Sequence, residues 1–279
     1  MIISFVILHY ESIEDTEECI DSLKKYQNLE DSVNIVVVDN GSIKGKLTAI
    51  ENKYKSENIF YIYSEENLGF AIGNNLGYKY AKNELKSDII ILSNNDIVYK
   101  QEEFIEKLKI AYEATNFDIA GPQIISLVDG KNQNPVPYLY PNKKTVKKRM
   151  YKYRILRILC KFDLDLFVRK LFAKEIYEIS INEIDEYQLH GACLIFSKGY
   201  IEQFDGLYDG TFMYMEEGIL KYMSKKYKLN MCYIGEMVVW HKEGSSTGKI
   251  YGEGRKKREF YYKWNIDGCK HLITLMKKN

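Results

Sequence analysis

Along the first 125 residues, two textures of apolar sequence alternate. Continuous apolar runs occupy 2–8, 34–38, 59–63, 88–92 and 119–125. They have the length of strands and lack the polar alternation of a half-exposed sheet, which is the pattern of strands buried on both faces. Between them, residues 12–26, 47–55, 69–81 and 102–112 have helical spacing, with Ile13, Cys19, Ile20 and Leu23 on one side of the first. Strands alternating with short helices predict an α/β fold with a mostly parallel, doubly wound sheet. In such sheets ligands bind beyond the carboxyl ends of the strands. Asp39 and Asp96 each follow an apolar run at such an end.

The texture changes between 128 and 186. Pro135, Pro137 and Pro141 come first, followed by a basic stretch whose apolar members recur at helical spacing. From 188 the alternation resumes: 188–196 reads as one strand, 198–204 as a short helix, 214–227 as a longer helix and 230–240 as a strand. The tail is basic, aromatic and predicted helical. The expected organisation is one domain over 1–250, with 128–186 as a basic helical insertion, and a helical tail over 251–279.

Composition narrows the class. A chain of 279 residues buries a sizeable core, and its 46% apolar content and mean hydropathy of −0.35 fit a globular protein. A net charge of +1 argues against a nucleic-acid binder of the strongly basic kind. Cys19, Cys160, Cys193, Cys232 and Cys269 are scattered, without a C-x-x-C pair, and read as reduced thiols in a cytoplasmic protein. The first residues lack the basic start of a signal peptide. No apolar run reaches the ~20 residues that span a bilayer, so membrane contact is expected to be peripheral.

Four segments carry candidate chemistry: VVVDNGS (36–42), NLGFAIGNNLGY (67–78), ILSNNDIV (91–98), and a fourth running from HGACLIF (190–196) through the Glu216–Glu217 pair to WHKEGSST (240–247). Asp39 at a strand end can accept the N3–H of a uracil or thymine ring, or can serve as a turn cap. Gly69 and Gly73 let backbone approach a ligand closely, or let a helix pack closely. Asp96 can be an anionic metal ligand. A hard divalent cation bound partly through substrate phosphates needs only one or two protein carboxylates.

Together and in this order, the segments resemble the family 2 glycosyltransferases of GT-A fold, in the branch of bacterial rhamnosyl- and polysaccharide transferases, over about residues 2–250. The resemblance implies a nucleotide-sugar site. Asp39 and the backbone at His9, Tyr10 and Glu11 would flank the base, and Asn67, Gly73 and Asn74 would touch nucleoside or diphosphate. Asn94, Asn95 and Asp96 stand where the family carries its metal motif, with an asparagine in place of the first acid. His241 is implied as a second ligand to Mg2+ or Mn2+, against the plainer reading of a lone histidine. Gly191 and Ala192 would line the acceptor and donor-sugar side, and Ser246 would bind diphosphate. Glu217 is implied as the catalytic base, with Glu216 as the alternative.

The expected function is therefore inverting transfer of a sugar from a UDP- or dTDP-linked donor to a hydroxyl of a glycan or lipid-linked acceptor, in cell-surface polysaccharide synthesis. The basic stretch describes either an amphipathic helix on an anionic membrane surface, at the inner face of the cell membrane, or a solvated helix over the cleft. Rival readings are a non-catalytic sugar-binding relative, a nucleotidyltransferase and a nucleic-acid binder. The last leaves the clustered acids unexplained, since they repel phosphate backbones.

Overall fold

The computed structural model describes residues 1–277 apart from 29–30, 45, 55–57, 173–185 and 244–253. The predicted alternation is present. Strands β1 (Ile2–His9), β2 (Ser32–Asn40), β3 (Ile59–Ser64) and β4 (Ile89–Asn94) are separated by helices α1 (Ile13–Lys24), α2 (Thr48–Lys53) and α3 (Gly69–Asn83). A two-residue strand β5 (Ile97–Val98), helix α4 (Phe104–Thr115), β6 (Ile119–Ser126) and the short β7 (Val136–Pro137) follow. Two helices of the insertion come next, α5 (Lys143–Cys160) and α6 (Asp165–Phe172). The chain ends with β8 (Tyr187–Gln188), β9 (Cys193–Ser197), α7 (Lys198–Gln203), α8 (Glu216–Tyr227), β10 (Met231–His241) and α9 (Arg255–Leu275).

Eight strands form one sheet in the order β3-β2-β1-β4-β9-β6-β10-β5, in which β9 and β5 run antiparallel to their neighbours. Both faces are covered, so the strands are apolar on both sides, as their unbroken hydrophobic runs require. On one face Ile3, Phe5 and Ile7 pack with Cys19, Ile20 and Leu23 of α1 and with Phe104 and Leu108 of α4. On the other, Val6, Val36 and Val38 pack with Ala71, Tyr78 and Ala81 of α3 and with Tyr200 of α7.

Two expectations are corrected. Residues 188–196 do not form one strand: β8 pairs with β7, the chain turns at Gly191–Ala192, and β9 then enters the main sheet. The cause is polar. The His190 amide donates to Asn134 Oδ1 at 2.9 Å and the Ala192 amide to His190 Nδ1 at 3.2 Å, which takes this backbone out of a ladder. Helix α8 begins at Glu216 and not at 214, because Tyr214 and Met215 have left-handed φ values of 68° and 75°.

The insertion and the tail share a core. Val146 and Met150 of α5 pack with Ile266, Cys269, Leu272 and Ile273 of α9, with Met215 just before α8 and with Ile219 of α8. Further along, Leu156 and Cys160 meet Tyr262. Buried Asp165 accepts from Arg258 Nε and from the Tyr262 hydroxyl, both at 2.8 Å, and so ties α6 to α9. Asn142 caps α5 by accepting from the Thr145 amide at 3.0 Å.

Candidate active site

Parallel register brings the first motif together with the metal-like motif. His9 lies opposite Asp39 across β1 and β2, and Leu8 lies opposite Asn94 across β1 and β4. All are at carboxyl ends, as the fold demands. Asp39 is buried, with Oδ1 accepting from the Ser42 amide at 2.9 Å and Oδ2 approached by the Leu47 amide at 3.4 Å. Its carboxylate therefore shapes the loop after β2, which is the cap role left open above. Glu11, at φ 60°, braces the same loop by accepting from the Ile43 amide at 2.8 Å and the Lys44 amide at 3.0 Å. The His9 imidazole is buried 2.6 Å from Thr16 Oγ1, and Tyr10 follows half-buried.

The glycine-spaced segment is held by Asn40, an asparagine the sequence reading left aside. Its amide donates to Asn67 Oδ1 and to the Gly69 carbonyl at 3.2 and 3.1 Å, and its oxygen accepts from the Leu68 amide at 3.0 Å. Gly73 faces the sheet: a Cβ there would lie 2.8 Å from Leu8 Cδ1 and 3.0 Å from Asn40 Cγ. Its smallness serves close packing of α3 on β1 and β2. Asn74 is buried and donates to the Phe70 carbonyl, while its Oδ1 has no hydrogen-bond partner.

Asn95 is a brace as well, donating to Thr16 Oγ1 at 3.0 Å. Asn94 joins β4 to the turn before β9, its amide donating to the Ala192 carbonyl at 2.9 Å. Asp96, 6% exposed, is placed differently. Its Oδ1 has no hydrogen-bond partner, yet lies 3.2 Å from Nε2 of His241 at the end of β10. On the far side of that ring, Nδ1 lies 2.8 Å from Gln133 Oε1. A proton on Nδ1 satisfies Gln133 and turns the Nε2 lone pair towards Asp96. In that tautomer the Nε2 lone pair and the orphaned Asp96 Oδ1 would face one another as two acceptors, an arrangement that fits a shared cation. Among the described residues no three His, Cys, Asp or Glu groups converge as a self-sufficient metal site. Asp96 and His241 thus suit a cation that draws its other ligands from phosphate and water.

The acidic pair sits at the start of α8. Glu216 is buried and accepts from the Thr211 hydroxyl at 3.1 Å. Burial first, and the neighbouring Glu217 carboxylate second, push its pKa up to about 8. Glu216 is therefore mainly neutral at pH 7. Glu217 is half-buried and lies against Gly191, where a Cβ would come within 2.8 Å of its Oε1. His190 joins the two acidic sites, its ring 5.9 Å from that of His241 and in the field of both Glu217 and Asp96. Burial is the main cause that holds the His190 imidazole below its ordinary pKa.

The structure therefore brings Asn94, Asp96, Gly191, Ala192, Glu217 and His241 to one place, around the turn at 190–192. His9, Glu11, Asp39, Asn67 and Gly73 build the adjoining strand-end wall. Ser246 lies outside the described residues. Sequence reasoning missed Gln133 and Asn134. They occupy an irregular segment after β6, and the only signal was polar residues next to Pro135.

An open, mostly parallel sheet with acids at its strand ends puts this chain in the doubly wound α/β class, whose ligand crevices lie beyond the carboxyl ends of the strands. The description Glycosyl transferase family 2 matches residues 4–177, so the chain belongs to that family. A low-salt glycan biosynthesis hexosyltransferase, Agl10 of Haloferax volcanii, is 26% identical over 231 residues, covering 82% of this chain and 63% of that protein. The fold matches crystal structures of S. aureus TarS 1–349 at a TM-score of 0.56, and of its UDP complex at 0.57, each with 14% identity and covering 100% of this chain and 66% of that one. The complex of TarS with UDP-GlcNAc matches at 0.55 with 15% identity, over 91% of this chain and 60% of that one. These are GT-A glycosyltransferase structures, and the fold here is of that class. The chain spans a little under two thirds of the length of Agl10 and of TarS 1–349.

Proposed function

We propose that this protein is an inverting glycosyltransferase that moves a sugar from a UDP- or dTDP-linked donor to a hydroxyl of a glycan or lipid-linked acceptor in cell-surface polysaccharide synthesis. It uses Mg2+ or Mn2+ and works at the cytoplasmic face of the cell membrane. One observation carries the reading: a carboxylate placed to take a proton, Glu217, and an orphaned metal-type pair, Asp96 with His241, meet at the same turn. Family membership and the UDP bound by the TarS neighbour agree with it.

The chemistry follows from what each group can do. The acceptor hydroxyl gives its proton to Glu217 as its oxygen forms a bond to the anomeric carbon, and the bond to the diphosphate oxygen breaks on the opposite side. Asp96 and His241 would hold a divalent cation, which would supply charge stabilisation for the departing diphosphate. Burial and the neighbouring Glu217 carboxylate push the Glu216 pKa up to about 8, so Glu216 is the member of the pair held towards its neutral form. Tyr140 walls this side, since a Cβ at Gly218 would come within 2.9 Å of its ring.

The test is release of nucleoside diphosphate from a panel of UDP- and dTDP-sugars, with and without Mg2+ or Mn2+, and NMR of the product's anomeric centre. Cation-dependent release with inversion is expected. Retention removes the single-displacement mechanism, and absence of turnover with every donor leaves a binding relative.

A further inference from the structure

One flank of the α5–α9 pair lies apart from the strand-end site and meets the core only at Ile266. Arg154, Arg157, Ile158 and Lys161 of the α5 end, with Ile266 and Lys270 of α9, line a groove of about 530 Å3. The spacing i, i+3, i+4, i+7 puts the first four residues on one helix face. Ile266 is buried, Ile158 is exposed at the edge shared with the neighbouring stripe, and four cations complete the lining. Among the described residues no carboxylate pairs with Arg154, Arg157 or Lys161, and Lys270 meets only Asp267, one turn back at 3.7 Å. Residues 143–162 hold nine Lys or Arg and no Asp or Glu, and Asp163 and Asp165 just beyond them are paired with Arg255 and Arg258.

Beside the groove runs an apolar stripe that nothing described covers. Tyr151, Ile155, Ile158 and Phe162 follow at steps of four, three and four residues and are 56, 58, 61 and 71% exposed. Phe167 on α6 adds another exposed ring. Lys144, Lys148 and Lys152 border the stripe on the side away from the groove, and all three are exposed. Large apolar side chains between two rows of cations match the boundary of an anionic bilayer, where apolar groups enter the acyl edge and cations stay with the headgroups. A free phosphate gains nothing from the stripe, and a nucleic acid gains little from exposed isoleucines. Among the described residues no helix is long and apolar enough to cross a membrane, so the contact is a surface one.

We propose that this face docks on an anionic phospholipid bilayer, with a headgroup phosphate seated in the Arg154–Arg157–Lys161–Lys270 groove and the Tyr151–Phe162 stripe at the acyl boundary. The groove rests on the membrane location proposed above and specifies its contact; it is independent of the transfer chemistry. The experiment is sedimentation of the full chain with vesicles of phosphatidylcholine alone, and of phosphatidylcholine mixed with phosphatidylglycerol. Wild type binds the mixed vesicles and not the neutral ones. The groove variant Arg154→Gln, Arg157→Gln, Lys161→Gln weakens binding roughly 100-fold. The charge-matched variant Lys144→Gln, Lys148→Gln, Lys152→Gln weakens it by a clearly smaller factor, because those side chains add general attraction to the surface and do not share the phosphate seated in the groove. The pair Ile158→Ser, Phe162→Ser also weakens it, at unchanged net charge.

Equal losses in the two charge variants overturn the groove and leave a diffuse membrane attraction. Failure of wild type to bind mixed vesicles overturns the groove and the membrane location together. Release by soluble glycerol phosphate at the same phosphate concentration, or no effect of the Ile158–Phe162 pair, overturns the bilayer as the ligand. Far-UV melting curves of all variants check that each is folded; every substituted residue is exposed.

Discussion

The sheet half and the helical half of this molecule hold their functional groups by different means. In the sheet half, backbone ladders set the positions: His9 faces Asp39, and Leu8 faces Asn94, because two parallel registers require it. The core there is mostly aliphatic and tightly apposed, with Val6 and Val38 so close to α3 that only a glycine fits at 77. In the helical half no ladder runs. Helices α5, α6, α8 and α9 hold one another through tyrosine, methionine and isoleucine side chains and through Asp165, whose partners are 93 and 97 residues away. Asp96 and His241, proposed above as cation ligands, belong to the first region, and Glu217, proposed as the base, to the second. On that proposal the site would keep its cation in a rigid frame and carry its base on a frame that side chains assemble.

Four substitutions test that contrast. The largest effect is expected at Glu217. Glu217→Gln keeps shape and donor affinity and lowers transfer roughly 10²- to 10⁴-fold. Glu216→Gln stays near wild type at pH 7, because the native carboxyl is already mainly neutral. Wild-type stability falls as pH rises from the ordinary glutamate range towards about 8, where buried Glu216 ionises; the Gln variant lacks that slope and is the more stable protein above pH 8. Thermal melts between pH 5 and 9 and single-turnover transfer measure both. A deeper transfer loss in Glu216→Gln moves the base by one residue.

Next comes Asp96. Asp96→Ala should weaken Mn2+ binding roughly 100-fold, read by titration calorimetry in the presence of UDP, while the melting temperature changes little, since the ladders that hold the strand end are intact. Unchanged cation affinity removes the metal assignment. The smallest effect is structural and confined to the helical half. Asp165→Asn should cost about 1–3 kcal/mol of stability at pH 7. Burial alone would raise the pKa of Asp165, but Arg258 and the Tyr262 hydroxyl reverse this and hold it below the usual value. The contribution of Asp165 is therefore present above about pH 4 and lost below it, so wild-type and variant stabilities converge in acid.

Much of this was legible in the sequence where apolar runs carried it. Runs at 2–8, 34–38 and 88–92 became β1, β2 and β4, and the acids just past them landed at strand ends. The turn at 190–192 was hidden because His190 and Gly191 sit inside an apolar stretch, and the bonds that bend the chain come from Asn134, more than fifty residues earlier. Gln133 behind His241 was hidden for the same reason: a side-chain partner has no periodicity. The faces of α5 were ambiguous because Met150 and Ile158 look equally apolar in sequence; α9 covers one and leaves the other. Whether Asp39 and Glu11 meet a nucleotide or brace a loop was also beyond the sequence. Their carboxylates turn out to be engaged by amides of the loop after β2.

The pairing of α5 with α9 has a consequence in time. Helix α5 ends at Cys160 and its partner begins at Arg255, about 95 residues later. At synthesis rates of roughly 5–20 residues per second, about 5–20 s pass before the α9 side of this core is made. Until then Val146 and Met150 have only Tyr138, Tyr140, Met215 and Ile219 of their cluster to pack on, and Leu156 lacks Tyr262. A chain truncated before α9 would keep that apolar side beside the exposed stripe on the same cationic helix.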